Sequence, residues 1–213
     1  MTVTTQLVRV ALLTALALSG CIPYAVGQTA LTLEPGATTY SQTTFVMPRG
    51  YELRTDSGRQ YVPRVGADVE VRHGLDGGID VGVRVPSVSG LIVNAKRRQS
   101  DDQSRIWRAY TIGAGVVNGG EHLYGEVLLH VSASELLPRP ITPYGALRLS
   151  QVVPLTRKAV SDTPTIGLAL GAKIGDAEFA FIPEVGVFYD KSALGINSKR
   201  IIVVPSLSIV RRR

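Results

Sequence analysis

The stretch HLYGEVLLH, residues 122 to 130, sets His122, Glu126 and His130 at intervals of four. On a helix, that interval stacks three ligands on one face for a zinc ion. On a strand, four residues cover about 13 Å, so three side chains spaced in this way cannot close on one ion without donors from other strands. A second set is acid and base: Asp68, Glu70 and Asp80 stand with Arg72 and Arg84 around the glycine-rich turn of ADVEVRHGLDGGIDVGVRVP, residues 67 to 86. On paired strands these groups form cross-strand ion pairs. No feature selects a catalytic pair among them, so no enzyme is expected, and neither a metal nor a cofactor is assigned. Cys21 is the only cysteine, which excludes an intrachain disulfide and a cysteine-based metal site.

These groups are placed by period-two segments. Apolar residues recur at every second position over ten stretches: 38 to 48, 64 to 73, 79 to 85, 90 to 98, 105 to 117, 121 to 131, 141 to 153, 163 to 174, 177 to 189 and 200 to 210. Alternation predicts strands, and no sustained helical period competes with it. GLDGG at 74 to 78, NGG at 118 to 120 and GD at 175 to 176 supply turn residues between adjacent runs, which predicts antiparallel hairpins. Helix-crossover parallel sheets, the usual hosts of nucleotide cofactors, are excluded. The 22 glycines and 12 prolines are spread along all 213 residues, so one all-β domain over 38 to 213 is expected.

The two faces of these strands differ sharply. One carries aliphatic and aromatic residues such as Val69, Val83, Leu129, Leu147, Leu168, Phe181, Val187 and Val203; the other carries most of the charges. Only the stretch 105 to 117 fits poorly, because Arg108 shares a face with Ile106, Tyr110 and Ile112. Three features favour apolar groups outward and charges inward. The apolar face is mostly aliphatic and the chain is only 6% aromatic, thin for a sandwich core but ordinary for a lipid-facing surface. Ten residues tilted by about 45° cover about 23 Å, close to the roughly 25 Å apolar band of outer-membrane barrels. Ten is an even number, so both ends of the strand array emerge on one side, expected to be periplasmic.

An antiparallel up-and-down barrel of about ten strands follows, with a lumen too narrow for a broad channel. The inward charges expected there are five basic (Arg72, Arg84, Lys96, Arg148, Lys173) and six acidic (Asp68, Glu70, Asp80, Glu126, Glu178, Glu184). Near balance predicts a lumen plugged by an ion-pair network. Trp107, Tyr110, Tyr124, Tyr144 and Tyr189 form a sparse interfacial belt in this reading. The alternative is a soluble lipidated barrel with the apolar face lining a cavity for a small apolar ligand, as in lipocalins.

The N-terminus bears on location. Arg9 precedes an apolar run from Val10 to Leu18, too short to span a bilayer and suited to an export signal. LSGC, residues 18 to 21, resembles the lipobox of bacterial lipoproteins. That resemblance implies a signal peptide over 1 to 20, acylation of Cys21, and an acylated linker over 21 to 37. Ile22, in place of the Asp that retains lipoproteins at the inner membrane, implies passage to the outer one. An ordinary signal cut after Gly27 stays open. The partners expected are membrane lipids, reached through the acylated Cys21 and the apolar barrel face. Export removes the chain from nucleic acid despite its net charge of +6.

RHGLDGGIDVGVRVP, residues 72 to 86, resembles the strand, turn and strand that recur in small bacterial outer-membrane β-barrel proteins. The likeness covers about fifteen residues, and implies the same barrel architecture at the outer membrane with N- and C-termini periplasmic. The chain departs from that family at its end: Val210 is followed by Arg211, Arg212 and Arg213, where such barrels close on an aromatic residue.

Overall fold

A computed structural model describes residues 23–55, 58–101, 103–117, 120–134, 140–155, 164–189 and 201–213, with the side chains of 49–62 and of Pro154 left aside. Ten strands follow in order: β1 (Thr38–Thr55), β2 (Gly58–Leu75), β3 (Ile79–Pro86), β4 (Leu91–Arg98), β5 (Ile106–Val117), β6 (His122–Ala133), β7 (Ile141–Pro154), β8 (Thr165–Gly175), β9 (Phe179–Tyr189) and β10 (Ile201–Arg212). Each pairs antiparallel with its neighbour in sequence, and β1 pairs with β10 from Thr39 opposite Arg212 to Phe45 opposite Ser206. The sheet is therefore a closed up-and-down barrel, as the period and the turn residues predict. Closure leaves no unpaired strand edge.

The largest difference from the expected boundaries lies in β1 and β2, which run beyond 48 and before 64 to pair again from Tyr51 opposite Val62 to Thr55 opposite Gly58. Pro48, Pro63 and a register shift between Met47 and Tyr51 interrupt the alternation there, and a period-two reading stops at such an interruption.

Aliphatic side chains point outward and charges inward. Val93, Ile112 and Leu170 are 54%, 56% and 59% exposed, whereas Asp80 and Arg148 are 0% and 1% exposed. The lipocalin-like alternative needs the reverse arrangement. In β5 the odd positions are the inward ones, with Trp107, Ala109 and Thr111 buried, so Arg108 stands outside beside Ile106 and Ile112. Tyr124 and Tyr144 are buried as well, which corrects the expected belt: with Trp107 they face the lumen because strand parity turns them inward. Phe179 and Phe181, 4.9 Å apart edge to face, are exposed on the outer wall instead.

The two rims differ. One is formed by the links 56–57, 87–90, 118–121, 155–164 and 190–200 (the loop rim), the other by 76–78, 99–105, 134–140 and 176–178 (the turn rim). Thr38 and Arg212 meet at the turn rim, as an even strand number requires. The chain before Thr38 does not remain there. Tyr24 packs in the lumen with Phe45, Met47, Ile92, Val117, Tyr124, Val152, Phe188 and Val204, most of them within a few residues of strand ends at the loop rim. Val26 packs at mid-barrel with Leu128, Ala146 and Ala169, and Ala30 lower down with Trp107 and Ala109. At the turn rim the Gly36 N–H donates to the Gly74 carbonyl at 3.0 Å, and the Gly74 N–H to the Ala37 carbonyl at 2.9 Å.

Residues 23 to 37, expected as a linker, thus run through the barrel from the loop rim to the turn rim. Composition explains the fit: PYAVGQTALTLEPGA carries no charge before Glu34 and few large side chains, so it passes a narrow lumen while offering backbone N–H and C=O groups to the lining. Residues 1 to 22, and with them the expected signal peptide and Cys21, lie outside the described residues.

Candidate functional site

Most of the lumen charges fall into three groups. On the β2–β3–β4 wall, Asp80 accepts from Arg72 Nε at 2.9 Å and also from Arg72 Nη2, while Arg72 Nη1 donates to Glu70 Oε1 at 2.8 Å and to Asn94 Oδ1 at 2.6 Å. Arg84 Nη2 reaches Glu70 Oε2 at 3.2 Å, and Lys96 Nζ lies 3.4 Å from Asp80 Oδ2. Asn94 Nδ2 donates to Glu70 Oε1 at 2.9 Å. The register sets this up: Glu70 lies opposite Arg84 and Asp80 opposite Lys96, so opposite charges meet directly across strands. Gly82 keeps the centre open, since a Cβ there would stand 2.8 Å from both Arg72 Nη1 and Glu70 Oε1.

The second group joins β6 and β7. Arg148 Nη2 donates to Glu126 Oε2 at 2.6 Å and to Tyr124 Oη at 2.5 Å, and Tyr124 Oη donates to Glu126 Oε2 at 2.9 Å. The third centres on Glu184 of β9, whose two oxygens accept the backbone N–H groups of Val26 at 2.8 Å and Gly27 at 2.9 Å. Tyr144 Oη donates to the same carboxylate at 2.5 Å and Ser206 Oγ at 3.4 Å.

The lumen segment bonds to the first group as well. Gln28 Nε2 donates to Glu70 Oε2 at 2.7 Å and the Leu33 N–H to Asp80 Oδ2 at 3.2 Å. The Ala25 and Thr29 carbonyls accept from Arg84 Nη1 and Lys96 Nζ, each at 3.5 Å. Gly27 is constrained twice over: its φ is +59°, and an added Cβ would overlap Ser208 Oγ and lie 3.2 Å from Thr43 Oγ1. Only glycine tolerates both conditions easily.

Of the eleven charges expected in the lumen, Asp68, Glu70, Arg72, Asp80, Arg84, Lys96, Glu126, Arg148 and Glu184 are buried in it. Lys173 is half-buried toward the turn rim. Glu178 is a correction: it lies exposed in the β8–β9 turn, because β9 begins only at Phe179 and alternation does not reach residue 178. The exposed Asp176 carboxylate in that turn accepts the N–H of Phe179 and that of Glu178, both at 2.8 Å, and these bonds hold its pKa below the ordinary carboxylate value. His122, Glu126 and His130 do face inward, but Glu126 is committed to Arg148 and Tyr124, and His130 Nε2 shares a hydrogen with Thr111 Oγ1 at 2.9 Å. Among the described residues, no three His, Cys, Asp or Glu side chains converge for a metal ion.

Between the lumen segment and the β7–β10 wall a cavity of about 420 Å³ remains toward the turn rim, lined among others by Gln28, Leu31, Trp107, Lys173, Ile182 and Arg212. Arg212 Nη2 donates to Glu34 Oε2 at 2.6 Å across its edge. What sequence reasoning missed is the lumen segment itself and the role of Tyr124 and Tyr144 as hydroxyl partners of lumen carboxylates. The even numbering shared by those tyrosines with Glu126 and Arg148 was the available signal.

No family model and no curated relative matches the sequence. Among solved structures, the chain is similar to an outer membrane channel from Pseudomonas putida F1, at 8% identity with a TM-score of 0.55, over 86% of this chain and 98% of that one. It also aligns with the outer membrane protein OprG from Pseudomonas aeruginosa at 11% identity, over 87% of this chain and 97% of that one, with a TM-score of 0.34. The first likeness shares the fold; the second is too distant in geometry to add to it. The class defined by fold and lumen is a closed, ten-stranded antiparallel barrel with an apolar exterior and a charged interior.

Proposed function

We propose that the protein is a barrel embedded in the bacterial outer membrane, anchored in addition by an acylated Cys21, whose lumen is plugged and whose role is structural or interactive and not catalytic. The observation that carries this reading is the inversion of the barrel: aliphatic side chains cover its outside, and nine buried charges are enclosed with a length of backbone. In water such an exterior would be a very large exposed apolar surface. Against acyl chains it is the ordinary lipid-facing wall. The outer membrane channel of similar fold gives a precedent for the architecture.

The plug has two components. Salt bridges within β2 and between neighbouring strands neutralise most of the lining, and residues 23 to 33 occupy the axis. A lumen so filled excludes hydrated solutes. Large, stable, ion-selective conductance in planar bilayers would overturn the plug; small or absent conductance is the expected result.

Embedding is tested on the full-length Cys21→Ser protein, which removes the lipid and leaves the barrel. Extraction only with detergent, together with a gel mobility that changes on heating, is expected. A monodisperse monomer released in buffer alone would overturn embedding. Acylation is tested separately by fatty-acid labelling, with loss of label expected in the same variant.

A further inference from the structure

We propose that residues 23 to 33 are a transluminal segment that carries the N-terminal end of the processed chain out through the loop rim, so that the acyl group on Cys21 enters the leaflet on the cell exterior while the C-terminus stays at the periplasmic rim. The inference rests on the reading of an acylated outer-membrane barrel and adds the leaflet to it.

The direction of the segment is the first argument. Tyr24 lies level with the strand ends of the loop rim and Ala37 with the turn rim, and Arg213 is at the turn rim too, its N–H donating to the Thr38 carbonyl at 3.0 Å. The two ends of the described chain therefore leave by opposite mouths. Cys21 stands two positions before Pro23, a reach of at most about 7 to 8 Å, and the lumen around Tyr24 is packed with side chains. In the proposed arrangement so short a reach keeps the acylated end on the loop-rim side, where the barrel wall stands about 10 Å from the axis.

Sidedness is the second argument. Outer-membrane barrels keep short turns in the periplasm and longer loops outside. Here the two longest links, 155–164 and 190–200, and the extended β1–β2 hairpin belong to one rim, while the other is closed by 76–78, 99–105, 134–140 and 176–178, none longer than seven residues. The rim that Pro23 approaches is the exterior one. Anchorage of the segment is the third: both walls hold its backbone, through Glu184 on one side and Asp80, Arg84 and Lys96 on the other. These contacts fix the segment along its length.

The test uses the full-length acylated protein in cells, with one epitope inserted between Ile22 and Pro23 and, in a separate protein, the same epitope after Arg213. Antibody is expected to label the first on intact cells and the second only after permeabilisation. In parallel, Ala30→Cys with Ser132→Cys is expected to form a disulfide, because the Ala30 N–H lies 3.4 Å from Ser132 Oγ. Fatty-acid label on Cys21 and heat-modifiable mobility are recorded for every variant. If both are present but the first epitope is reached only after permeabilisation, or the disulfide does not form, the proposal falls while the acylated barrel stands. Loss of the label or of the heat-modifiable form removes the underlying reading, and the proposal with it.

Discussion

Two walls of one lumen solve the same problem in different ways. The β2–β3–β4 wall carries Asp68, Glu70, Arg72, Asp80, Arg84 and Lys96; Glu70 and Asp80 each meet a cation on their own or a neighbouring strand, while Asp68 is buried with its Oδ1 unbonded. The β8–β9–β10 wall presents mostly small or uncharged groups, among them Ala169, Ala180 and Ser208, around the single buried carboxylate of Glu184. That carboxylate is held by hydroxyls and by two backbone N–H groups of the lumen segment. The first wall is neutralised by the sheet itself; the second depends on the segment that crosses in front of it. A charge satisfied by its own sheet stabilises the barrel, whereas a charge satisfied by the segment ties the segment to the barrel.

The comparison breaks most visibly at Arg72. Its guanidinium bridges Glu70 and Asp80, and Arg72→Met leaves two buried carboxylates short of a partner. Removing one member of a buried pair costs about 3–5 kcal/mol, so a large drop in the denaturant midpoint is expected for the barrel in detergent or lipid. The heat-modifiable form should be lost at a much lower temperature. A midpoint like that of the unaltered protein would show that the wall is not held by these pairs.

Glu184→Gln is expected to act more weakly and elsewhere. Charge-assisted bonds contribute about 1.5–3 kcal/mol each to the contact they make, and here the contact is with Val26 and Gly27. The expected result is faster proteolysis within residues 23 to 33 and a rise in conductance, with barrel mobility little changed. Gly27→Val should produce the same phenotype through overlap with Ser208 and the unfavourable positive φ. Equal loss of barrel stability in the Arg72 and Glu184 variants would remove the distinction between the walls.

The barrel was legible in the sequence because alternation is a local property: Val69 and Val83 sit outside, and Glu70 and Arg84 inside, once the period is known. Orientation was legible through composition, since an aliphatic face and paired charges suit lipid outside. The lumen segment was not legible. ALTLEP and its surroundings lack the β-strand partners that give alternation its meaning, and their bonds reach residues 42, 47, 102 and 158 positions away along the chain. Glu178 failed for the opposite reason: alternation was extended across a turn in which Asp176 and Gly175 set the geometry. The expected aromatic belt does not hold at Tyr124 and Tyr144, because strand parity turns both side chains into the lumen. Boundary loss at β1 and β2 came from Pro48 and Pro63, residues that interrupt a pattern without ending the strand.

The smallest effect is expected when both members of the pair joining β6 and β7 are removed together, and that double variant separates sheet-internal charge from charge as such. Arg148→Met alone strands Glu126 with only Tyr124 as a partner and should destabilise the barrel by about 3–5 kcal/mol. The double variant Arg148→Met with Glu126→Leu removes both charges and retains volume, and such replacements are near neutral or stabilising, because the desolvation of two ions offsets their attraction. The expected denaturant midpoint of the double variant therefore lies within about 1 kcal/mol of the unaltered barrel. Lumen plugging should persist, since Tyr24 and Val26 still pack on Val152, Phe188, Leu128 and Ala146. Conductance that rises in the double variant would mean that the ions themselves, and not the segment they surround, keep the lumen closed.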